Sequence, residues 1–416
     1  MFTELLERRT LLASHGLNLT YFDNPDFTGK TVEQTSTQVN FKWNAQAAPV
    51  KGINPGTFSV RLEGLVQPTH SQTYTFSVRN NDGVRLWVNG KLLIDHWKSG
   101  TRATRSGSIA LKAKHLYDIR LEYFEGTRSA ALGLKWSSPS TSLQYIPTKN
   151  LFAYDTRFAA IGDFGRDTAY SQGTAKIVNS WAPNYIVTAG DNDYTGSLDD
   201  NVGQFYHQYI GNYQGKYGAG ANVNRFFPAL GNHDWDHSSR YLDFFTLPGN
   251  ERYYDFVQGK IHFFVLDSDP HEPDGTSADS VQGQWLQSTM SQSTSLYNVV
   301  IFHHAPYSSG KHANVGYMRW PFKDWGADVV ISGHDHDYER LIEDGLLYFV
   351  NGSGAGPRSL GSPRSGSKFM DNSDSGALLI QANDQIMTFQ YELRSGKVID
   401  SYSITPNTAN PAPKTA

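Results

Sequence analysis

Along the first third of the chain, apolar and polar residues alternate in short runs. Thr57-Phe58-Ser59-Val60-Arg61-Leu62, Thr73-Tyr74-Thr75-Phe76-Ser77-Val78 and Ile119-Arg120-Leu121-Glu122-Tyr123 are the clearest. A period of two turns one face of a strand toward a core and the other toward water. Turn signals such as Asn81-Asp82-Gly83 and Val88-Asn89-Gly90-Lys91 separate the runs. Strands broken at regular intervals by turns predict an all-β sandwich from Gly16 to about Asn150.

The pattern changes at Phe158. Phe158-Ala159-Ala160-Ile161 is followed by a helical stretch from Ser171 to Trp181, by Tyr185-Ile186-Val187-Thr188, and by a helix around Gln204-Phe205-Tyr206. His262-Phe263-Phe264-Val265-Leu266, Val299-Val300-Ile301-Phe302 and Asp328-Val329-Val330-Ile331 come later. Continuous apolar runs are the mark of strands covered on both faces, so this half predicts an α/β domain. Strand-rich sequence returns from Gly376 to Ile404, and a tail rich in Pro, Thr, Ala and Asn closes the chain. The expected organisation is an N-terminal segment 1–15, a β-sandwich 16–150, an α/β domain 156–405 and a loose tail 406–416. The stretch Leu6-Glu7-Arg8-Arg9-Thr10-Leu11-Leu12 resembles a short sorting segment of exported bacterial proteins.

Composition narrows the chemistry. The 416 residues are 38% hydrophobic and 18% charged, enough to bury the cores of two or three domains. A net charge of −4 argues against a nucleic-acid-binding role. No run approaches the roughly 20 apolar residues of a membrane-spanning helix. There is no cysteine, which excludes disulfides, thiolate metal sites and cysteine nucleophiles together. Any metal must be held by His, Asp, Glu, Asn or Tyr.

Those residue types stand where the buried strands end. Ile161 is followed by Gly162-Asp163-Phe164-Gly165, and Ala189 by Gly190-Asp191-Asn192-Asp193-Tyr194. Leu230 is followed by Gly231-Asn232-His233-Asp234, Phe302 by His303-His304, and Ser332 by Gly333-His334-Asp335-His336. Sites in open α/β sheets form beyond the carboxyl ends of strands. One Asp or one His in such a place is usually a cap or a packed core residue. The ordered set supplies about the number of O and N ligands that two metal ions sharing a carboxylate require. His207, His237 and His271 have no such context and read as structural or surface residues.

This set, continued by Asp337-Tyr338-Glu339-Arg340, resembles the calcineurin-like metallophosphoesterases and, within them, the purple acid phosphatases. The resemblance implies a four-layer α/β sandwich with mixed β-sheets. Most calcineurin-like enzymes carry a His where this chain has Gly165; purple acid phosphatases carry a Tyr where it has Tyr194. A phenolate is a hard donor suited to Fe(III). By resemblance, Asp163, Asp191, Tyr194 and His336 bind the ferric ion. Asp191, Asn232, His303 and His334 bind a divalent ion (Zn, Mn or Fe(II)). His303 is taken over His304 because His312 lies nine residues beyond it and Val300 three before it. His233 and His312 are the implied catalytic groups, contacting phosphate and protonating the leaving alkoxide. The implied reaction is hydrolysis of a phosphate monoester by attack of metal-bound hydroxide at the dinuclear centre. A phosphodiesterase or nucleotide hydrolase on the same scaffold is the alternative; a surface adhesin with an inactive phosphoesterase-like domain is another.

The N-terminal half resembles the protective-antigen-type β-sandwich, through Leu17–Phe22, Phe58–Leu65, Asn81-Asp82-Gly83-Val84-Arg85-Leu86-Trp87-Val88-Asn89-Gly90 and Ile94-Asp95-His96-Trp97. The resemblance implies glycan binding, in some relatives through calcium on two adjacent Asp residues. Here the pair is Asn81-Asp82, and the loss of one carboxylate weakens a calcium site. Trp87 and Trp97 are candidate sugar platforms that read more simply as core. An adhesion-type domain points to an extracellular, cell-surface or periplasmic location.

Overall fold

The computed structural model describes residues 15–44, 47–126, 130–312 and 315–406. The sorting-like segment Leu6–Leu12 and residues 407–416 of the tail lie outside the described residues. The chain divides into two compact units, one ending at Asp155 and one starting at Thr156.

The first unit is a sandwich of two antiparallel sheets. One orders Thr31–Ser36, Leu17–Phe22, Phe58–Val66, Tyr117–Glu125, Val84–Val88 and Lys91–His96, with Leu151–Phe152 also paired to Phe58–Val66. The other orders Thr141–Tyr145, Ala130–Ser138, Gln72–Asn80 and Ala103–Leu111, with Asn40–Trp43 on Ala130–Ser138. The alternation is realised as expected: Tyr74, Phe76 and Val78 enter the core with Val60, Leu62 and Leu121. Ser77 and Ser106, on the outer face, are joined by a hydrogen bond.

The second unit stacks two mixed sheets. In the first, Thr156–Ile161, Tyr185–Thr188 and Phe226–Pro228 run parallel, and Gly376–Ala382 joins antiparallel, followed by Met387–Leu393 and Val398–Ile404. In the second, Ile261–Val265, Tyr297–His304, Val329–Gly333 and Leu346–Asn351 run parallel, with antiparallel strands at both edges. The apolar runs divide by parity. Phe263, Val265, Val299, Ile301, Val329 and Ile331 face the core between the sheets. Phe264, Val300, Phe302 and Val330 face the outer layer, where they meet Leu286 and Met290 of helix Val281–Ser291. Helix Ala169–Ser180 covers the other sheet through Ile177 and Val178. Continuous apolar strands are thus required by cover on both faces.

One element differs from the sequence pattern. The helix around Gln204 is only Gln204–Tyr206, preceded by a wide turn Asp199–Gly203 and followed by a tight one at His207–Tyr209. Tyr206 is buried by tertiary packing against Phe164 and Phe226 rather than by helical periodicity. Asp337 leads into strand Tyr338–Glu343. Arg340 and Tyr338 both bond Asp400, an ion pair and hydrogen bond that a local sequence pattern does not display.

Candidate metal centre

The parallel strands of the second unit deliver their carboxyl ends to one place. Backbone hydrogen bonds bind the loops there: Asp163 N–H donates to Gly190 O, Gly165 N–H to Asp191 O, and Tyr194 N–H to Gly165 O. Asp163, Asp191 and His334 have positive φ of 54°, 53° and 70°. Non-glycine residues adopt this region at a cost, and such strain gathers at functional sites. At Gly165 the backbone is closely approached, since a Cβ there would stand 2.3 Å from the Asn192 carbonyl carbon.

Two groups of side-chain atoms converge. In the first, Tyr194 Oη lies 3.3 Å from Asp163 Oδ1 and 3.3 Å from His336 Nε2, and His336 Nε2 lies 3.4 Å from Asp163 Oδ1. In the second, His303 Nε2 lies 3.0 Å from Asn232 Oδ1, 3.2 Å from His334 Nδ1 and 3.4 Å from Asp191 Oδ1. His303 Nδ1 is 2.8 Å from Ala189 O, and a carbonyl only accepts, so this nitrogen carries the proton. His303 Nε2 is then a bare lone pair facing other acceptors. Atoms bound at about 2.0–2.2 Å to one ion stand about 2.8–3.1 Å apart in octahedral geometry and about 3.3–3.6 Å apart in tetrahedral geometry. The separations in both groups, 3.0 to 3.4 Å, fall within the span of these two geometries.

The electrostatics point the same way. Asp163 and Asp191 are buried, and desolvation pushes both carboxyls above the usual carboxylate range; Asp191 adds to the shift at Asp163. Burial, with the two carboxylates beside it, raises the Tyr194 phenol. Burial lowers His303 well below the ordinary imidazole value and brings His334 and His336 to about 4. Neutral imidazoles facing buried acids are a ligand set lacking positive charge, so the residues present fit cations.

The other candidate residues lie around this centre. The His233 ring packs against Tyr194 at 4.6 Å, and its backbone N–H donates to Asp191 Oδ1. His312 is exposed, with its ring 4.5 Å from that of His334. His304 stands beside the group around Asp191, its ligand atom within 4.8 Å of those of His303 and His334; its Nδ1 contacts Ser268 Oγ at 3.0 Å, and burial lowers it to about 2. Its ring still stacks near His334, so it also borders the pocket.

Sequence reasoning missed four residues. Asp234 accepts from the backbone N–H groups of Gly231, Asn192 and Asp193 and from Asn192 Nδ2, tying two ligand loops together. Asp335 accepts from His312 N–H and Ser308 Oγ, so it sets the loop that carries His312. Arg166 lies over the Tyr194 ring at 4.6 Å. Arg358 reaches His312 Nε2 at 3.2 Å while its own N–H donates to His336 O. The two aspartates stood inside the quoted motifs; nothing in the local sequence marked the two arginines.

In the first unit, Asp82 is committed to the backbone, accepting from Gly100 N–H at 2.9 Å and Gly126 N–H at 3.3 Å. Trp87 and Trp97 lie beneath the guanidinium groups of Arg120 and Arg85. The Trp97 ring is also stacked on Phe27 at 5.6 Å.

Residues 13–148 match the PA14 domain, and residues 156–338 match the calcineurin-like phosphoesterases. PA14 is the protective-antigen-type domain. Over 140 residues, 34% of this chain, the sequence is 41% identical to Anti-sigma-I factor RsgI3 of Acetivibrio thermocellus, covering 22% of that protein. Over 235 residues, 49% of this chain, it is 25% identical to Purple acid phosphatase 17 of Arabidopsis thaliana, covering 68% of it. A solved anti-sigma factor domain-containing protein is 40% identical over 34% of this chain and 49% of its own, with a TM-score of 0.33. The chain thus spans about a fifth of the first curated relative. It carries a PA14 domain followed by a calcineurin-like phosphoesterase domain.

Proposed function

We propose that the second domain is a metal-dependent phosphomonoesterase of the purple acid phosphatase type. The observation that carries this reading is the pair of converging acceptor groups, spaced at 3.0 to 3.4 Å and meeting at Asp163 and Asp191. Asp163, Asp191, Tyr194 and His336 would hold Fe(III). Asp191, Asn232, His303 and His334 would hold a divalent ion (Zn, Mn or Fe(II)). Tyr194 in place of an imidazole at Gly165 favours the ferric assignment, as does the similarity to Purple acid phosphatase 17. The ions would supply Lewis acidity and a nucleophile at low pH.

The chain's own residues supply the rest. His303 is held in one tautomer by Ala189 O, which keeps Nε2 free for a ligand role. His233 and His312 stand beside Tyr194 and His334 on different segments, where either would serve as the general acid. Arg166 and Arg358 add positive charge at the mouth, which attracts an anionic ester. The PA14 domain is assigned as a carbohydrate-binding module, which suits action outside the cell, at its surface or in the periplasm. Among the described residues no helix is long and apolar enough to cross a membrane.

The test is turnover of an aryl phosphate monoester against the matching diester, with metal analysis alongside. Faster monoester hydrolysis, abolished with metal content in Asp191→Ala, is expected. Diester preference would move the protein to the phosphodiesterase reading. A metal-replete, fully active Asp191→Ala protein would overturn the site.

A further inference from the structure

Consecutive residues of a regular strand face opposite ways, so His303 and His304 should not share a site. Strand Tyr297–His304 breaks this rule at its end. Ile301 pairs with Ile331 of the neighbouring strand, whereas His304 pairs with Gly333, so the chain takes three steps on one strand against two on the other. An extra residue of this kind re-aims the side chains beside it. The two imidazoles end with ring centroids 5.0 Å apart, and both meet the ring of His334, His303 at 5.0 Å and His304 at 4.6 Å. One nitrogen of His304 lies within 4.8 Å of the ligand atoms of His303 and His334.

Hydrogen bonds give these adjacent rings opposite tautomers. His303 keeps its proton on Nδ1, bonded to Ala189 O, and leaves Nε2 bare. His304 Nδ1 stands 3.0 Å from Ser268 Oγ, which already accepts the His304 backbone N–H at 2.9 Å. Ser268 is fully buried, and its hydroxyl proton has no other acceptor among the described residues. A buried hydroxyl that donates nowhere is costly, so Ser268 Oγ–H donates to His304 Nδ1 and the ring proton sits on Nε2. Ser268 itself is fixed from both sides. Gln282 bonds both backbone groups of Asp267, and the Tyr317 hydroxyl donates to Ser268 O. The Nε2 edge of His304 is open. It has no hydrogen-bond partner among the described residues and is not one of the enclosed unpaired polar atoms, although the residue as a whole is only 7% exposed.

A donor without a partner of its own therefore borders the His303–His334 half of the centre. We propose that His304 is a substrate-contacting residue whose Nε2–H donates to an oxygen of the phosphoryl group, with Ser268 as the positioning residue that fixes its tautomer. The inference rests on the phosphomonoesterase reading and adds a contact to it. While Nε2 carries the proton it cannot serve as a metal ligand, which separates the role of His304 from that of His303. The ring of His312 also meets that of His334, at 4.5 Å, but His312 is exposed. His304 is held by its backbone N–H and by Nδ1, so its donor is set before an anion arrives. Such preorganised donors stabilise an oxyanion without the cost of rearrangement.

The experiment titrates inorganic phosphate into the metal-replete full chain by calorimetry, with metal content and Tm measured alongside. An Asn side chain places its amide where Nδ1 stands, and a Gln side chain where Nε2 stands. His304→Asn should bind phosphate about tenfold more weakly at unchanged metal content, while His304→Gln stays within about threefold of the wild type. Ser268→Ala, which lets the ring take the other tautomer, should fall between the two. Wild-type phosphate affinity in both His304 variants, or the same loss in both, overturns the proposal; monoester turnover by the wild type then still upholds the phosphatase reading. Loss of divalent metal from both variants makes His304 a ligand of the ion and likewise overturns it. A metal-replete wild type that neither binds phosphate nor turns over the monoester takes the proposal and the phosphatase reading down together.

Discussion

Gly165 and Asn192 lie so close that a Cβ on Gly165 would stand 2.3 Å from the Asn192 carbonyl carbon. The position at which most calcineurin-like enzymes carry an imidazole ligand is therefore closed by the backbone that leads to Tyr194. If Tyr194 is the ligand proposed, ligand loss and ligand gain are one structural event: the Asn192-Asp193 segment occupies the space beside Gly165, and two residues on from Asn192 it presents the phenol. Gly165→His should not restore an imidazole ligand. It should force the two loops apart, at about 1–3 kcal/mol or more of stability. Thermal unfolding and metal analysis check this; a stable, metal-replete Gly165→His protein would mean that the loops can yield.

Tyr194 makes the most specific spectroscopic forecast. Its oxygen is 3.3 Å from both Asp163 Oδ1 and His336 Nε2, a phenol wedged between two candidate ligands of one ion. The as-isolated protein should show a broad violet absorption band. Tyr194→Phe should lose that band and much of the iron while keeping its fold. A colourless wild-type protein that works only with added Mn or Zn would reduce Tyr194 to a packing residue.

Metal loading should release protons. In the ion-free site the Tyr194 phenol is raised above its ordinary value of 10.0, and the Asp163 carboxyl well above 3.8. At pH 7 the phenol is therefore protonated, and binding as phenolate frees at least one proton per site. The imidazoles are already neutral there, because burial has lowered them. Calorimetric titration of the chelated protein in buffers of different ionisation heat should show this release. As pH falls toward about 4, His334 and His336 begin to protonate and metal retention should drop steeply. Binding heats independent of buffer would contradict the phenolate assignment.

How much of this was legible in the sequence depends on range. The parity of Phe263 and Phe264, or Val299 and Val300, was visible because a strand's two faces are a local property. The convergence of the candidate residues was legible because each follows or ends its own strand, so that order along the chain maps onto proximity in space. Arg340 pairing with Asp400, and Arg166 lying over Tyr194, are long-range or side-chain facts with no periodic signal. Asp234 was visible as a letter in Gly231-Asn232-His233-Asp234, but its function as a shared acceptor depends on a second loop.

Asp234 should behave as a positioning residue. Removing its carboxylate in Asp234→Ala leaves the backbone N–H groups of Gly231, Asn192 and Asp193 without their acceptor in a buried site. Each unsatisfied donor costs about 1–3 kcal/mol, so the loss should be at least ~3 kcal/mol. Metal affinity should fall with it, because Asp191 and Asn232 stand on the two loops it joins. Asp234→Asn keeps one acceptor oxygen and should recover part of both. Equal loss in both variants would mean that charge rather than loop geometry is what Asp234 supplies.

Arg166 and Arg358 bracket the candidate centre from two loops, one over the Tyr194 ring and one at His312 Nε2. Neither is placed as a metal ligand, so replacing them should leave metal content and the visible spectrum intact. Both are exposed, so their contribution is screened by water and salt. Attraction of an anionic ester acts mainly on the free enzyme and its substrate, and its loss should appear in KM more than in kcat. Arg166→Ala and Arg358→Ala are each expected to raise KM for an aryl phosphate several-fold, about tenfold at low ionic strength, or ~1.4 kcal/mol. The effect should shrink as salt is added, because the Debye length falls from about 30 Å at 0.01 M to about 10 Å at 0.1 M. Arg358→Ala carries a further signature. Its guanidinium contacts His312, so if His312 donates the proton to the leaving group, kcat should fall most for esters with poor leaving groups. A loss of kcat that is the same for good and poor leaving groups would place Arg358 in phosphate binding alone.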